Sequence, residues 1–425
     1  MKSAHYLFAF FILLSSLSAV ENPPQVKSPT AITKQDVLSV VNGEFQLGGQ
    51  RFAEISFNKF DLFWAMHDEL LAGRELNADN AIVQSQDKAL KNLRQLGFRS
   101  VRVFAMPPGA NLAEKFSDPK EHRMIFEALD KMVELCELHG IGLVWSLCCG
   151  TFTNDEIHLK ELVADRENAN RKVLYEYLDF VIDRYKHSPA VLMWEIHNEL
   201  TLNADIGIYN GHRTPTLKEV AVFYDDVAKH IKKRDPLRLV NNGGSNPRES
   251  QWNLHLGNGW KVDTVQEQAK CFRLLFKDSA VDVIDIHFYP NQGKGVTLAR
   301  SNGRPDVIGL ADYMRMAARN GKPMIVGEIG RLAVSRENVA VWQEAPNYFE
   351  TFADKDAAMP WVQSLLDDII KAKVPLSYWW TYQSDREMDK NNPQRFDISL
   401  ERNPELVKAV AEANKRLKKE LRIPN

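Results

Sequence analysis

Two stretches of this chain end an apolar run on a glutamate. Residues 190–200 read A-V-L-M-W-E-I-H-N-E-L, so an apolar segment leads into the polar cluster His197, Asn198 and Glu199. Residues 323–330 read P-M-I-V-G-E-I-G, an apolar run that again delivers a glutamate, Glu328. In parallel α/β folds, ligands bind at the carboxyl ends of buried strands. Two carboxylates facing each other there have the layout for glycosidic bond cleavage, one protonating the leaving oxygen and the other acting at the anomeric carbon. A lone loop glutamate is ordinarily a solvated acid, and it is the repeated pattern that singles out Glu199 and Glu328. Glu195 sits deeper in the first stretch and is expected to be a structural group paired inside the fold.

Other residues have the right types to serve this pair. In S-V-R-V-F, Arg102 lies between two valines; a charge there must be paired if buried, and a catalytic carboxylate is a natural partner. In I-D-I-H-F-Y-P, His287 and Tyr289 share one strand face by the period of two. Beside a carboxylate they can orient it and hold its ionisation state, although a histidine at such a position also serves as a satisfied core residue. The stretch S-Y-W-W-T-Y places Trp379 and Trp380 at a strand end, where an indole can stack on a sugar ring or simply fill core. Phe63, Trp64, Trp252, Trp260 and Trp342 are the loop aromatics from which specificity is expected. No H-E-x-x-H or comparable ligand set is present, so no metal is expected, and hydrolysis by two carboxylates needs no cofactor.

The elements that must position these groups repeat as helix, short turn, apolar strand, long loop. Strands are expected at 52–57, 100–104, 141–147, 191–196, 237–241, 283–287, 324–328 and 376–381. Helices are expected at 81–96, 121–138, 167–185, 217–234, 265–276, 310–320, 361–372 and 404–421. Strict alternation of this kind argues for a closed (β/α)8 barrel rather than an open sheet. The helix-to-strand turns are short and carried by Gly and Pro. The strand-to-helix connections are long (58–80, 105–120, 148–166, 201–216, 242–263, 289–309 and 329–360), as expected where one face of a barrel builds the site. Asn-Gly and Gly-Gly pairs within residues 40–57 suggest a small hairpin before the first barrel strand.

The 425 residues are 44% hydrophobic and 26% charged, ordinary globular values. A formal charge of −2 gives no reason to expect nucleic acid or an anionic membrane as partner, and is compatible with a neutral polysaccharide or oligosaccharide. Lys2, the apolar residues 7–14 and the small residues 15–19 read as a secretory signal peptide, 1–19, cleaved after Ser18 or Ala19. Its apolar run is too short for a span of about 20 residues, so the expected product is secreted or periplasmic, with no membrane attachment after cleavage. Residues 20–39 are expected to be a mobile leader and 40–425 a single catalytic domain. Cys136, Cys148, Cys149 and Cys271 are expected to be thiols.

Taken together, W-E-I-H-N-E-L, I-H-F-Y, M-I-V-G-E-I-G and Y-W-W-T, with V-R-V on the second strand, resemble glycoside hydrolase family 5, the cellulase and mannanase family of (β/α)8 enzymes. The resemblance runs from about Val40 to the end of the chain. It implies a retaining mechanism with Glu199 as acid/base and Glu328 as nucleophile. Asn198 would bind the sugar 2-hydroxyl, Tyr289 and Arg102 would support Glu328, and His287 would assist Glu199. Trp380 would lie under the reacting sugar, with Trp379 as the alternative. Many family cellulases carry a histidine where this chain reads V-W-S-L-C-C-G, and the mannanase branch lacks it. The opening V-N-G-E-F-Q-L-G-G-Q-R-F and the segment F-D-L-F-W also resemble that branch, so β-1,4-mannan is the favoured substrate. The alternatives are a β-1,4-glucanase or an exo-acting β-glycosidase. A non-catalytic sugar-binding barrel is disfavoured by the presence of both glutamates with Asn198 and Tyr289.

Overall fold

The computed structural model describes residues 32–33, 36–106, 116–148, 159–209, 212–289, 296–299, 305–330, 355–386, 398–401 and 403–423. The expected signal peptide, most of the leader, Cys149 and Trp342 lie outside these residues.

Eight parallel strands form the barrel: β1 (Glu54–Asn58), β2 (Ser100–Phe104), β3 (Gly142–Ser146), β4 (Val191–Glu195), β5 (Leu239–Asn241), β6 (Ile284–Phe288), β7 (Met324–Ile329) and β8 (Leu376–Trp379). The ladder runs β5-β4-β3-β2-β1-β8-β7-β6. It closes through a parallel bridge between Asn241 and Val283, with the amides of Asp282 and Val283 donating to Val240 O at 2.8 and 3.2 Å. Eight helices follow their strands: α1 (Ala81–Gln95), α2 (Pro119–His139), α3 (Ala169–Tyr185), α4 (Leu217–Arg234), α5 (Val265–Phe276), α6 (Leu310–Arg319), α7 (Lys355–Ala372) and α8 (Pro404–Glu420). Their starts are written locally. Asn80 accepts from the Ile82 and Val83 amides to begin α1, and Thr216–Glu219 and Thr264–Glu267 form capping boxes on α4 and α5.

Alternation along the strands separates two cores. Ile55 and Phe57 of β1 face outward into the helix layer, while Glu54, Ser56 and Asn58 turn inward. The lower lumen is filled by Val144, Leu192, Met193, Val283, Ile325, Leu376 and Tyr378. Leu38, Phe45 and Phe52 complete that cluster from below. They come from the segment expected to be a hairpin, which is a three-stranded antiparallel meander, Ser39–Val41, Glu44–Leu47 and Gln50–Arg51. The meander plugs the amino-terminal mouth of the barrel. The folded unit also begins a few residues before position 40, since Val37 and Leu38 are buried.

The long connections carry structure of their own. The stretch read as a loop at 58–80 contains an extra helix, Asp61–Leu71, and the loop after β5 contains the short helix Gln251–His255. Cys136, Cys148 and Cys271 are buried thiols. Among the described residues, no helix is long and apolar enough to cross a membrane.

Candidate active site

Arg102 organises the carboxyl end of the barrel. Its side chain is fully buried and all five of its N–H donors are engaged. Nε and Nη2 hold Glu195 bidentately at 2.8 and 2.6 Å, Nη1 reaches Glu328 Oε1 at 2.8 Å and Asn58 Oδ1 at 3.0 Å, and Nη2 reaches Asn198 Oδ1 at 2.7 Å. Burial disfavours this charge, but the two carboxylates outweigh it and the guanidinium stays charged. Glu195 is buried too, yet Arg102 brings its carboxyl below the ordinary value. It is the structural partner expected of it.

Glu199 and Glu328 meet above this pair. A carboxylate oxygen of each and a ring nitrogen of His287 lie within 4.8 Å of one another. His287 Nδ1 donates to Glu199 Oε1 at 2.9 Å and stands 3.5 Å from Glu328 Oε2. The Tyr289 hydroxyl donates to Glu328 Oε2 at 2.7 Å. Burial drives the Glu328 carboxyl above its ordinary value, opposed by the charges of His287 and Arg102. For Glu199, burial is outweighed by the His287 hydrogen bond and charge, and the carboxyl falls below its ordinary value. Burial opposes a charge on His287 as well, but the two glutamates raise its imidazole above 6.5. The three therefore share protons as one unit. The Glu199 side chain is 29% exposed and that of Glu328 7%, so water reaches the first more readily.

The presentation of Glu199 is a backbone device. Glu199 adopts the left-handed region, φ 54°, at the head of the 3-10 turn Leu200–Asn203, a conformation costing about 1–3 kcal/mol for a non-glycine residue. It is held by the Asn198 amide on Cys148 O (2.6 Å) and its own amide on Gly243 O (2.7 Å). Gly243 cannot be replaced freely. It has φ 63°, and a Cβ there would overlap His197 O and the Glu195 side chain. Burial pushes the His197 imidazole down to about 4, so it stays neutral beside Glu195.

A cluster of aromatic rings stands beside Arg102, whose guanidinium lies 5.1 Å from the Phe104 ring. Trp380 is half-buried and stacks on Phe60 at 5.1 Å and 22°. Phe104 and Trp64 extend the cluster, with ring centroids 5.8 Å from Trp380 to Phe104 and 5.4 Å from Phe104 to Trp64. Trp64 Nε1 donates to Met106 O at 2.5 Å, and the Arg386 guanidinium lies over its ring at 4.9 Å. Trp379 is fully buried against Trp361, whereas Trp380 is the half-buried indole of the two. Phe63 is not a site residue. It lies in the helix-layer core, because the helix Asp61–Leu71 turns Phe60 and Trp64 to one side and Phe63 to the other. Phe60 shares a face with Trp64 by its i, i+4 spacing, their ring centroids 5.6 Å apart. Trp252 is partly buried, whereas Trp260 is 66% exposed with Arg248 6.0 Å from its ring. Asn58 was missed, although it ends a run of alternating polar residues on β1.

Glu199, His287 and Glu328 are the one set among the described residues bringing three carboxylate or imidazole donors together. Both oxygens of Glu328 already accept hydrogen bonds, from Arg102 and Tyr289, and a guanidinium beside them disfavours a further cation.

Two glutamates face each other across the mouth of a closed (β/α)8 barrel, the buried Glu328 clamped by arginine and tyrosine and the partly exposed Glu199 by histidine, a layout suited to carboxylate-dependent hydrolysis. Residues 68–379 match the model of cellulase, glycosyl hydrolase family 5. The chain belongs to that family and is a glycosidase with a carbohydrate substrate. It is 22% identical to mannan endo-1,4-beta-mannosidase 4 of Oryza sativa subsp. japonica over 356 residues, 75% of this chain and 69% of the relative. With mannan endo-1,4-beta-mannosidase 1 of Solanum lycopersicum it shares 23% identity over 48% of this chain and about half, 52%, of the relative. The family 5 mannosidase of Rhizomucor miehei superposes with a TM-score of 0.60 over 92% of this chain and 99% of that one, at 14% identity. The endo-beta-1,4-mannanase of Thermotoga petrophila gives 0.54 over 86% and 77%, at 16% identity. At these identities the superpositions speak to the barrel alone.

Proposed function

We propose that the protein is a retaining, endo-acting β-1,4-mannanase in which Glu328 is the nucleophile and Glu199 the acid/base. The retaining part of this reading is supported by the close approach of the two carboxylates, which place an oxygen of each within 4.8 Å, as suits the close carboxyl pair of a retaining site. Glu328 attacks the anomeric carbon while Glu199 gives its proton to the departing glycosidic oxygen. The covalent glycosyl ester is then opened by a water that Glu199 deprotonates, and Glu328 leaves as carboxylate. Arg102 and Tyr289 hold the nucleophile in place and take up its charge when it departs. The Glu199–His287 hydrogen bond stores the proton that the first step consumes. Entry of a sugar removes water from the partly exposed Glu199 and favours placing that proton on the carboxyl. Arg102 binds Asn198 Oδ1, which leaves the Asn198 amide hydrogens for a substrate hydroxyl. Trp380 offers its face to the sugar ring.

Mannan is favoured over glucan by the names of the curated relatives and by the absence of a histidine after β3, where Leu147 and Cys148 stand. Export precedes action in this reading, supported by Lys2 and the apolar residues 7–14. Purified protein should release oligosaccharides from β-1,4-mannan faster than from a soluble cellulose derivative. Proton NMR within minutes of mixing should show the β anomer first. Preferential cleavage of the cellulose derivative would make the protein a glucanase, and an α anomer appearing first would refute retention. Glu328→Gln should abolish nearly all turnover while oligosaccharide still binds. Glu199→Ala should lose about 10²–10⁴-fold on polysaccharide and regain activity on an activated aryl glycoside with azide.

A further inference from the structure

The nucleophile assigned above sits on an irregular strand. β6 pairs with β7 as Ile286 with Val326 and then His287 with Glu328, so Gly327 has no partner in the ladder. The other neighbour of β7 skips as well, pairing Ser377 with Val326 and Trp379 with Ile329. One extra residue therefore lies in β7, and it changes the phase of the strand. Ile325 belongs to the lumen core, and strict alternation from it would turn Glu328 outward to the helix layer. The extra residue reverses that, and Glu328 enters the lumen to meet Arg102.

A bulge leaves an amide and a carbonyl unmatched, and here both are met by side chains. Asp285 Oδ1 accepts the Gly327 amide at 2.6 Å, and Asn58 Nδ2 donates to Gly327 O at 2.9 Å. Asp285 is itself clamped, its amide donating to Asn242 Oδ1 at 2.7 Å and its carbonyl accepting from Asn242 Nδ2 at 3.1 Å. A Cβ on Gly327 would overlap the Asp285 carboxyl, so glycine and aspartate are a matched pair. Asp285 Oδ2 has no hydrogen-bond partner.

We propose that Asp285, with Asn58, is a positioning residue that locks the bulge at Gly327 and thereby aims Glu328 into the site. The site favours the neutral form of Asp285. Burial and then the Glu195 charge push its carboxyl well above the ordinary range, against the pull of His287 and Arg102. Tyr224 of α4 and Tyr378 of β8 are the other titratable groups facing it, and both stay protonated. A neutral amide should therefore replace it, since an asparagine oxygen can accept the same Gly327 amide.

This inference rests on Glu328 as the nucleophile, and its test separates the two. Asp285→Asn, Asp285→Ala and Glu328→Gln are compared for kcat, KM, pH profile and rate of covalent labelling by a fluorinated glycoside inactivator. Asp285→Ala should lose about 10²-fold in kcat and in labelling rate, the scale of a nucleophile displaced by about 1 Å, with KM little changed. Asp285→Asn should stay within a few-fold of the parent on every measure, with the same pH profile. Parent-like kcat in Asp285→Ala overturns the proposal, as does an Asn variant that is as slow as Ala. If the Ala variant does not fold, the Asn variant decides alone. A crystal structure of Asp285→Ala with Glu328 still on Arg102 and Tyr289 also overturns it. Turnover by Glu328→Gln would instead remove the nucleophile assignment and leave that structural result to judge the bulge.

Discussion

His287 touches the carboxylates of both Glu199 and Glu328 and couples their protonation. Its imidazole is raised above 6.5, so the unit keeps its last proton to a higher pH than a free histidine would. Activity that needs this proton should fall as pH rises through that raised value. In His287→Asn the last proton is left to the two carboxyls, Glu199 and Glu328. Without the imidazole, the pair should release that proton at lower pH. The alkaline limb of kcat/KM should therefore move to lower pH, which a profile from about pH 4 to 10 would show. An unmoved limb would mean that the proton is not shared. The same group carries a stability term: a raised histidine stabilises the fold below its unfolded pKa, and that contribution is lost as pH rises through the folded one.

At the scale of elements, the two ends of the barrel do separate work. The meander fills the lower lumen with Leu38, Phe45 and Phe52, while the charged network occupies the upper half. Phe45→Ala should cost about 3–5 kcal/mol of unfolding free energy in a urea titration, because rigid strands cannot close around the vacated ring. The kcat of the remaining folded protein should be unchanged, since no catalytic group touches that ring; a large drop in kcat would mean that the plug sets the upper geometry as well. The aromatic residues divide in the same spirit. Trp380→Ala removes the face beside the reacting sugar and should lower kcat, whereas Trp260→Ala, farther out on the β5 loop, should chiefly raise KM for long oligosaccharides. Initial rates on short and long substrates separate the two effects.

For the molecule as a whole, charge is nearly cancelled, with a formal net of −2. Binding of a neutral polysaccharide should then owe little to long-range attraction. KM for soluble mannan should change by less than about twofold between about 0.05 and 0.5 M salt, because screening acts on exposed charge and not on the buried Arg102 network. A steep salt dependence would point to an anionic substrate.

The elements of the barrel could be read from the chain because they depend on local periodicity. The apolar runs before Glu199 and Glu328, the caps at Asn80, Thr216 and Thr264, and the short Gly and Pro turns each act within a few residues. Arg102 could be placed within β2, Asn198 just after β4, and His287 and Tyr289 at the end of β6 for the same reason. What each one touches was decided by closure of the barrel. The five donors of Arg102 find acceptors on β1, β4, the turn after β4, and β7, segments brought together only when the sheet becomes a cylinder. Sequence left Trp379 and Trp380 as alternatives, because neighbouring residues differ only in which side of the sheet they face. The bulge at Gly327 was hidden more deeply. Alternation alone sends Glu328 outward, and the extra residue that turns it inward is stable only because Asp285 and Asn58, from the strands on either side of the β7–β8 pair, supply the hydrogen bonds it lacks.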